Sequence, residues 1–183
     1  MKRLFKFLPV FILCLGNAVF PLAASDKKAS KDDGAIGKIV LDLSKYADVT
    51  VLKTSRFGWV YALDDSGSPM EADGFEQDFK FKNSPITMYI HYGFFPNDEA
   101  ARKGLSFKVK NAAEPSKTTP PPGMPKINKT KEVFFGASSA SVSFRVGSVC
   151  VAITGFGGSP KERKAKVALF ANRVIEHLKG LEK

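Results

Sequence analysis

The sequence predicts an α+β domain: an antiparallel β-sheet of roughly six to eight strands with a C-terminal amphipathic helix packed on one face. Two observations lead to this prediction. Through most of the chain, apolar residues alternate with polar ones, which is typical of strands with one buried and one wet face. Near the end, the spacing of apolar residues changes to three and four, which indicates a helix lying on an apolar surface.

Residues 1–24 predict a signal peptide. Lys2, Arg3 and Lys6 precede a short apolar run, and small residues follow it, so cleavage is expected near Ala24. The run is shorter than the about 20 apolar residues of a membrane span, although an uncleaved anchor is the alternative. The protein is therefore expected to be exported, and to be periplasmic or secreted.

The charge balance of the chain is basic. Among 183 residues, 28 are basic and 18 are acidic, a net charge of +10; loss of residues 1–24 would remove three basic residues and leave +7. This positive balance favours acidic partners or contact with a membrane surface. The alternative is that the charges serve only solubility, because they are spread along the chain. A nucleic-acid partner is not expected, because stacking aromatic residues are not interleaved with the basic ones and the protein is expected to be exported.

The chain after residue 24 divides into a leader and one domain. Residues 25–35 are expected to be a flexible leader, because they are polar and almost without apolar side chains. Residues 36–183 have the length of a single domain, and a domain of this size can bury a hydrophobic core without disulfide bonds. Cys150 is the one cysteine left after cleavage, so no internal disulfide is expected.

Most predicted strands have apolar side chains on only one face. The segments with clean alternation are residues 39–43, 57–63, 79–82, 105–110 and 141–146. Residues 86–95 and 149–153 carry apolar side chains on both faces and are expected to be central strands. Residues 64–69 predict a turn, and residues 145–148 predict a tight hairpin between two strands.

Two helices are predicted. The shorter spans residues 98–103 and is stopped by Gly104. The longer begins after Ser159, with Pro160 at the first helical position and Glu162 completing a capping box.

Residues 111–130 break the strand pattern and contain five prolines. They predict a long Pro-rich loop without structure of its own. Such loops are usually functional or disordered, and the composition here favours disorder.

No catalytic or metal-binding motif of any specificity is present, so no catalytic residue, metal or cofactor is expected. The acidic residues near position 65 lack the spacing of a calcium loop, and no close Cys or His pair suits zinc. A secreted enzyme with a nonstandard site is the alternative. Its candidate residues are His91, Tyr89, Arg145 and Cys150, although Cys150 is expected to be an ordinary buried thiol.

The first group of candidate ligand-binding residues is the glycine-rich turn before the last helix. It comprises Gly155, Gly157, Gly158, Ser159 and Lys161. Backbone donors at a helix start attract anions, so the turn could bind one. The alternative is a turn that needs glycine for its backbone angles.

The second group combines Trp59 with Lys108 and Lys110. Trp59 and its aromatic neighbours either belong to the core or face a ligand, and the core is favoured because large rings dominate the cores of small domains. Lys108 and Lys110 are expected on the outward face of a strand, where they would present positive charge.

These features favour a noncatalytic binding domain of the cell envelope or secreted fraction, acting through an envelope protein partner or a small apolar or anionic ligand. A structural subunit or chaperone of an envelope complex is a further alternative, and the oligomeric state is left open. The predicted architecture resembles that of small exported domains of the photosystem-accessory type. The resemblance concerns architecture alone, and no residue role follows from it.

Overall fold

The computed structural model describes residues 33–112, 115–128, 130, 132–136 and 140–182. In chain order the elements are α1 (Asp33–Ile39), a 3₁₀ helix (Leu43–Lys45), β1 (Val49–Leu63), β2 (Pro69–Phe81), β3 (Thr87–Phe94), α2 (Asp98–Lys110), β4 (Ser116–Lys117), β5 (Glu132–Gly136), β6 (Ala140–Val146), β7 (Val149–Phe156) and α3 (Pro160–Leu181). The predicted signal peptide and residues 25–32 of the predicted leader lie outside the described residues. Residues 33–35 of that leader belong to α1.

All seven strands form one antiparallel sheet in the order β1-β2-β3-β7-β6-β5-β4. The two strands predicted to be central, β3 and β7, pair with each other in the middle of the sheet. The predicted turn at 64–69 joins β1 to β2, and the predicted hairpin at 145–148 joins β6 to β7. The α+β fold class, with its antiparallel sheet and C-terminal helix, is confirmed.

α3 covers one face of the sheet and makes the main core. Its apolar stripe meets alternate residues of the central strands, among them Met88, Ile90 and Ile153, all fully buried. The helix begins as predicted: the Ser159 side chain accepts a hydrogen bond from the Glu162 amide, and Pro160 follows the cap. In the part of the chain that the structure describes, no helix is long and apolar enough to span a membrane.

α2 lies on the opposite face and forms a second, smaller core with the sheet. This cluster contains Trp59, Phe95, Ala101, Leu105, Cys150 and Ala152. The fold therefore has three layers, with α3 and α2 on either side of one sheet.

The strand predicted at residues 39–43 is wrong. Ile39 ends α1, and Leu43 begins the 3₁₀ helix. Leu41 is instead held by buried side chains of the sheet: its amide donates to Tyr92 Oη (3.2 Å), and its carbonyl accepts from Gln77 Nε2 (2.9 Å). Side-chain hydrogen bonds thus replace the strand pairing that the alternation suggested.

The strand predicted at residues 105–110 is also wrong, because α2 continues through Gly104 to Lys110. A Cβ on residue 104 would lie 2.3 Å from Cζ of Phe95, so glycine is needed there for close packing and not as a helix stop. Lys108 and Lys110 consequently lie on a helix and not on a strand face. Lys110 is exposed, whereas Lys108 is partly buried.

The Pro-rich segment has defined partners within residues 115–128, where disorder was expected. Ser116 and Lys117 pair with β5 as the edge strand β4. The side chain of Asn172 on α3 binds the backbone of residues 126 and 128, and Lys164 Nζ donates to the Pro122 carbonyl. Side-chain contacts with α3 take the place of regular structure in this loop.

Candidate functional site

A groove of about 640 Å³ lies between the second half of α2 and the sheet. Its walls comprise Phe57, Gly58, Trp59 and Val60 of β1, Phe107, Lys108 and Val109 of α2, Asn111, Ala112 and Ser116 beyond it, and Phe134 and Gly136 of β5. Its floor comprises Glu76, His91, Ser141, Ser143, Ala152 and Thr154. The volume lies within the range of roughly 300–1,000 Å³ that is usual for small-molecule sites.

The register of the sheet assembles the floor. One row of residues on the α2 face crosses six strands: Ser55, Glu76, His91, Ala152, Ser143 and Phe134. Thr154 and Ser141 pair in the next row on the same face. Because side chains alternate between faces with a period of two, these polar groups point towards the groove, while the residues between them enter the main core.

A glycine on β3 allows β1 to wrap close to the floor. A Cβ on Gly93 would lie 2.6 Å from Cδ2 of the Trp59 indole, so this position has room only for hydrogen. Trp59 is 2% exposed and belongs to the second core as well as to the groove wall. The interpretation of Trp59 as a core residue is therefore confirmed, and contact of its ring with a ligand stays a prediction.

Lys108 places a positively charged side chain in the wall of the groove. Its Nζ lies 4.8 Å from the centre of the Trp59 ring, and burial lowers the pKa of its ammonium group. Among the residues that the structure describes, no carboxylate lies within 4 Å of this nitrogen. The aromatic ring therefore positions a partly buried positive charge that has no anionic partner in the described protein.

Glu76 is the acid of the floor. Its carboxylate accepts hydrogen bonds from Lys53 Nζ and Ser55 Oγ on the neighbouring strand. Burial opposes the charge, but these hydrogen bonds and the charge of Lys53 outweigh it and lower the pKa of Glu76. Glu76 is therefore ionised at neutral pH.

His91 lies directly opposite Glu76 on β3. Burial, followed by the nearby charge of Lys108, lowers the pKa of its imidazole to about 4. The ring is packed against Phe57, with centroids 5.3 Å apart. His91 is thus neutral at physiological pH and keeps a nitrogen lone pair for binding.

Asp78 lies two residues beyond Glu76 on the same face of β2. One ligand atom from each of Glu76, Asp78 and His91 lies within 4.8 Å of the others. Burial and the negative charge of Glu76 raise the pKa of Asp78. Neither acid was among the candidate residues from the sequence, although their i, i+2 spacing continues the polar face of the predicted strand at 79–82.

The other candidate enzyme residues do not meet His91 in the groove. Cys150 is sealed beneath α2, where its thiol donates to the Ala101 carbonyl (3.0 Å) and burial raises its pKa to about 12. Arg145 is buried between two carboxylates, and Tyr89 packs edge-on against Phe156. Of the four, His91 alone lines the groove.

The glycine-rich turn is separate from the groove, and none of its five candidate residues lines it. Gly157 and Gly158 have φ angles of +75° and +56°, and their carbonyls accept hydrogen bonds from Arg163 Nη1. Gly155 packs against Val167 of α3. These contacts account for the glycines structurally, and binding of an anion there stays a prediction.

No protein-family model, curated protein or solved structure matches this chain. The case for a function therefore comes from the residues of the groove.

Proposed function

We propose that the protein is an exported, noncatalytic binding domain that holds a small molecule, with an apolar body and an anionic group, in the groove between α2 and the sheet. The observation that carries this proposal is the partly buried ammonium of Lys108, which faces an aromatic groove and has no carboxylate within 4 Å among the described residues.

The walls of the groove favour an apolar ligand body. Phe57, Phe107 and Phe134 come from three different elements, and each is only partly buried by the protein itself. Covering such surface stabilises a complex by roughly 25 cal/mol per Å² of apolar area removed from water. The hydroxyls of Ser143 and Thr154 on the floor would orient the ligand, because a few placed polar groups in an apolar site fix its pose.

The charge distribution favours an anionic group. Glu76, the acid that lines the groove, already accepts hydrogen bonds from Lys53 and Ser55. Lys108 has the Trp59 ring as its neighbour, and a ligand anion would supply the counter-charge and the hydrogen-bond acceptors that a buried ammonium requires.

The alternative functions have less support. A cysteine nucleophile would have to be reached beneath α2, where Cys150 is fully buried. A docking surface driven by apolar contacts would need a continuous apolar patch. The exposed large apolar side chains are instead spread over β1, its hairpin with β2, β7 and α3.

Matched ligands test the role of Lys108. We expect 2-naphthoate to bind about tenfold more tightly than the neutral 2-naphthamide, because a charge-assisted hydrogen bond contributes roughly 1.5–3 kcal/mol. In Lys108→Met, which keeps the apolar stem, this preference should disappear. Calorimetry or ligand-observed NMR, with EDTA present, measures both affinities.

Lys110→Met is the matched control, because it removes the same charge from the exposed side of α2 and should keep the preference. Absence of binding by either compound, or an unchanged preference in Lys108→Met, would reject the proposed site.

Export is the part of the proposal that residues 1–24 support. In a secreting bacterial host, we expect the intact mass of the released product to correspond to a chain starting within about two residues of Ser25. A membrane-bound product that still begins at Met1 would instead indicate an uncleaved anchor.

A further inference from the structure

We propose that Glu76, Asp78 and His91 bind a divalent transition-metal cation on the floor of the groove. One potential ligand atom from each side chain lies within 4.8 Å of the other two, so small side-chain rotations would bring all three to the about 2.0–2.2 Å that a bound ion requires. The inference goes beyond the proposed ligand and does not require it, because metal binding is measured without that ligand.

Strand geometry holds the three side chains together. Glu76 and Asp78 alternate on one face of β2, and His91 is the direct partner of Glu76 across the β2–β3 ladder. Both strands lie inside the sheet, with paired neighbours on each side. Strand pairing therefore fixes the backbone positions of the three residues, and only their side chains need to adjust to bind an ion.

Asp78 supplies an independent indication of a bound ion. Its Oδ1 is buried and has no hydrogen-bond partner in the described part of the chain. A buried carboxylate oxygen without a partner is costly, and here a second carboxylate lies beside it. A cation between the two acids would remove their mutual repulsion, and one that contacts Oδ1 would also give this oxygen its missing partner.

The remaining two groups also have atoms available for coordination. His91 Nε2 and Glu76 Oε2 are 3.6 Å apart, which is too long for a hydrogen bond. The hydrogen bonds from Lys53 and Ser55 are accepted by the other oxygen of Glu76, Oε1. The imidazole nitrogen and Oε2 are thus close together without being bonded to each other.

The donor set selects the class of metal. One imidazole and two carboxylates suit Zn²⁺, Mn²⁺, Fe²⁺ or Co²⁺, whereas Ca²⁺ and Mg²⁺ prefer oxygen ligands alone. Three protein ligands on one sheet face leave further coordination positions open on the groove side, since Glu76 and His91 both line the groove. The ion would therefore be accessible from the groove.

Titration of the tag-free, EDTA-treated chain with Zn²⁺ tests this site by calorimetry. We expect one ion per chain with a dissociation constant in the micromolar range or below. His91→Gln and Asp78→Asn should each weaken binding by about tenfold or more, because each removes one of three ligands. Saturating Zn²⁺ should also raise the melting temperature of the unchanged protein, but not that of His91→Gln.

His177→Gln and Asp73→Asn are matched controls, since they change the other histidine and an exposed acid of the same strand outside the cluster. Both should keep the affinity of the unchanged protein. No saturable binding, or equal affinity in His91→Gln, would overturn the proposal.

A measurement on the unchanged protein avoids the risk that a variant loses metal binding only because it does not fold. Substoichiometric Mn²⁺ should broaden the imidazole NMR signals of His91 before those of His177, and the reverse order would overturn the proposal. The naphthoate experiment is run in EDTA, so its failure and the failure of metal binding can be told apart.

Discussion

Arg145→Ala is expected to lower the free energy of unfolding by about 3 kcal/mol, the lower end of the cost of removing one partner from a buried ion pair, because both carboxylate partners are partly exposed. Arg145 is 5% exposed. Its Nη1 donates to Asp98 Oδ1 (2.6 Å) and its Nε donates to Glu132 Oε2 (2.8 Å). Burial opposes the guanidinium charge, but the hydrogen bonds to Glu132 and Asp98 outweigh it and raise the pKa of Arg145.

The position of Arg145 makes this loss larger than a single contact would suggest. Asp98 begins α2 and Glu132 begins β5, and both elements contribute to the walls of the groove. Loss of the guanidinium would leave the Glu132 carboxylate partly buried without its partner and would release the start of α2. We therefore expect Arg145→Ala to weaken binding of 2-naphthoate as well.

Urea denaturation followed by circular dichroism measures the change in stability. The control is Lys103→Ala, which breaks the ion pair of Lys103 with Glu99 on the same helix, where both side chains are mostly exposed. Exposed pairs contribute roughly 0–1 kcal/mol. If both variants lose the same free energy of unfolding, the ion pairs of Arg145 contribute no more to stability than an exposed pair does.

Phe170→Ala is expected to cost about 3–5 kcal/mol, because it removes a fully buried ring and leaves a cavity. Phe170 lies on α3 and is 0% exposed. Its ring meets Phe79 at 4.8 Å, Tyr46 at 5.6 Å and Phe81 at 5.7 Å between centroids. It thus joins α3 both to the sheet and to the chain segment before β1.

The adjacent residue provides the control for this prediction. Leu169 is 42% exposed on the same turn of α3, so Leu169→Ala should change stability by only about 0.5 kcal/mol. Thermal and urea unfolding of the two variants would be compared. A cost for Phe170→Ala of the same size as that for Leu169→Ala would show that the aromatic cluster does not anchor α3.

The segment after Gly104 was predicted as a strand but belongs to α2. Leu105, Phe107 and Val109 alternate with polar residues, as in a strand, but Ala101, Gly104, Leu105 and Lys108 also have the spacing of one helix face. Local pattern cannot decide between the two for so short a segment. Contact with Phe95 decides for the helix, because Gly104 brings the helix close to that ring.

The candidate site was only partly predictable. Trp59 and Lys108 were both recognised as candidates, but the helix that places one above the other was assigned as a strand. Glu76, Asp78 and His91 were not recognised as a group, since 12 residues separate Asp78 from His91 in the sequence and no motif links them. The β2–β3 register brings them together.

By itself, the sequence determined the antiparallel sheet, the two central strands, the turn after β1, the hairpin between β6 and β7 and the start of α3. These features depend on alternation, turn residues and capping, which act between residues a few positions apart. Only the tertiary structure decided the length of α2, the fixing of the segment at Leu41 and the composition of the groove. Each of these depends on register and on close packing between elements distant in the chain, where a single glycine or one strand pairing changes which side chains meet.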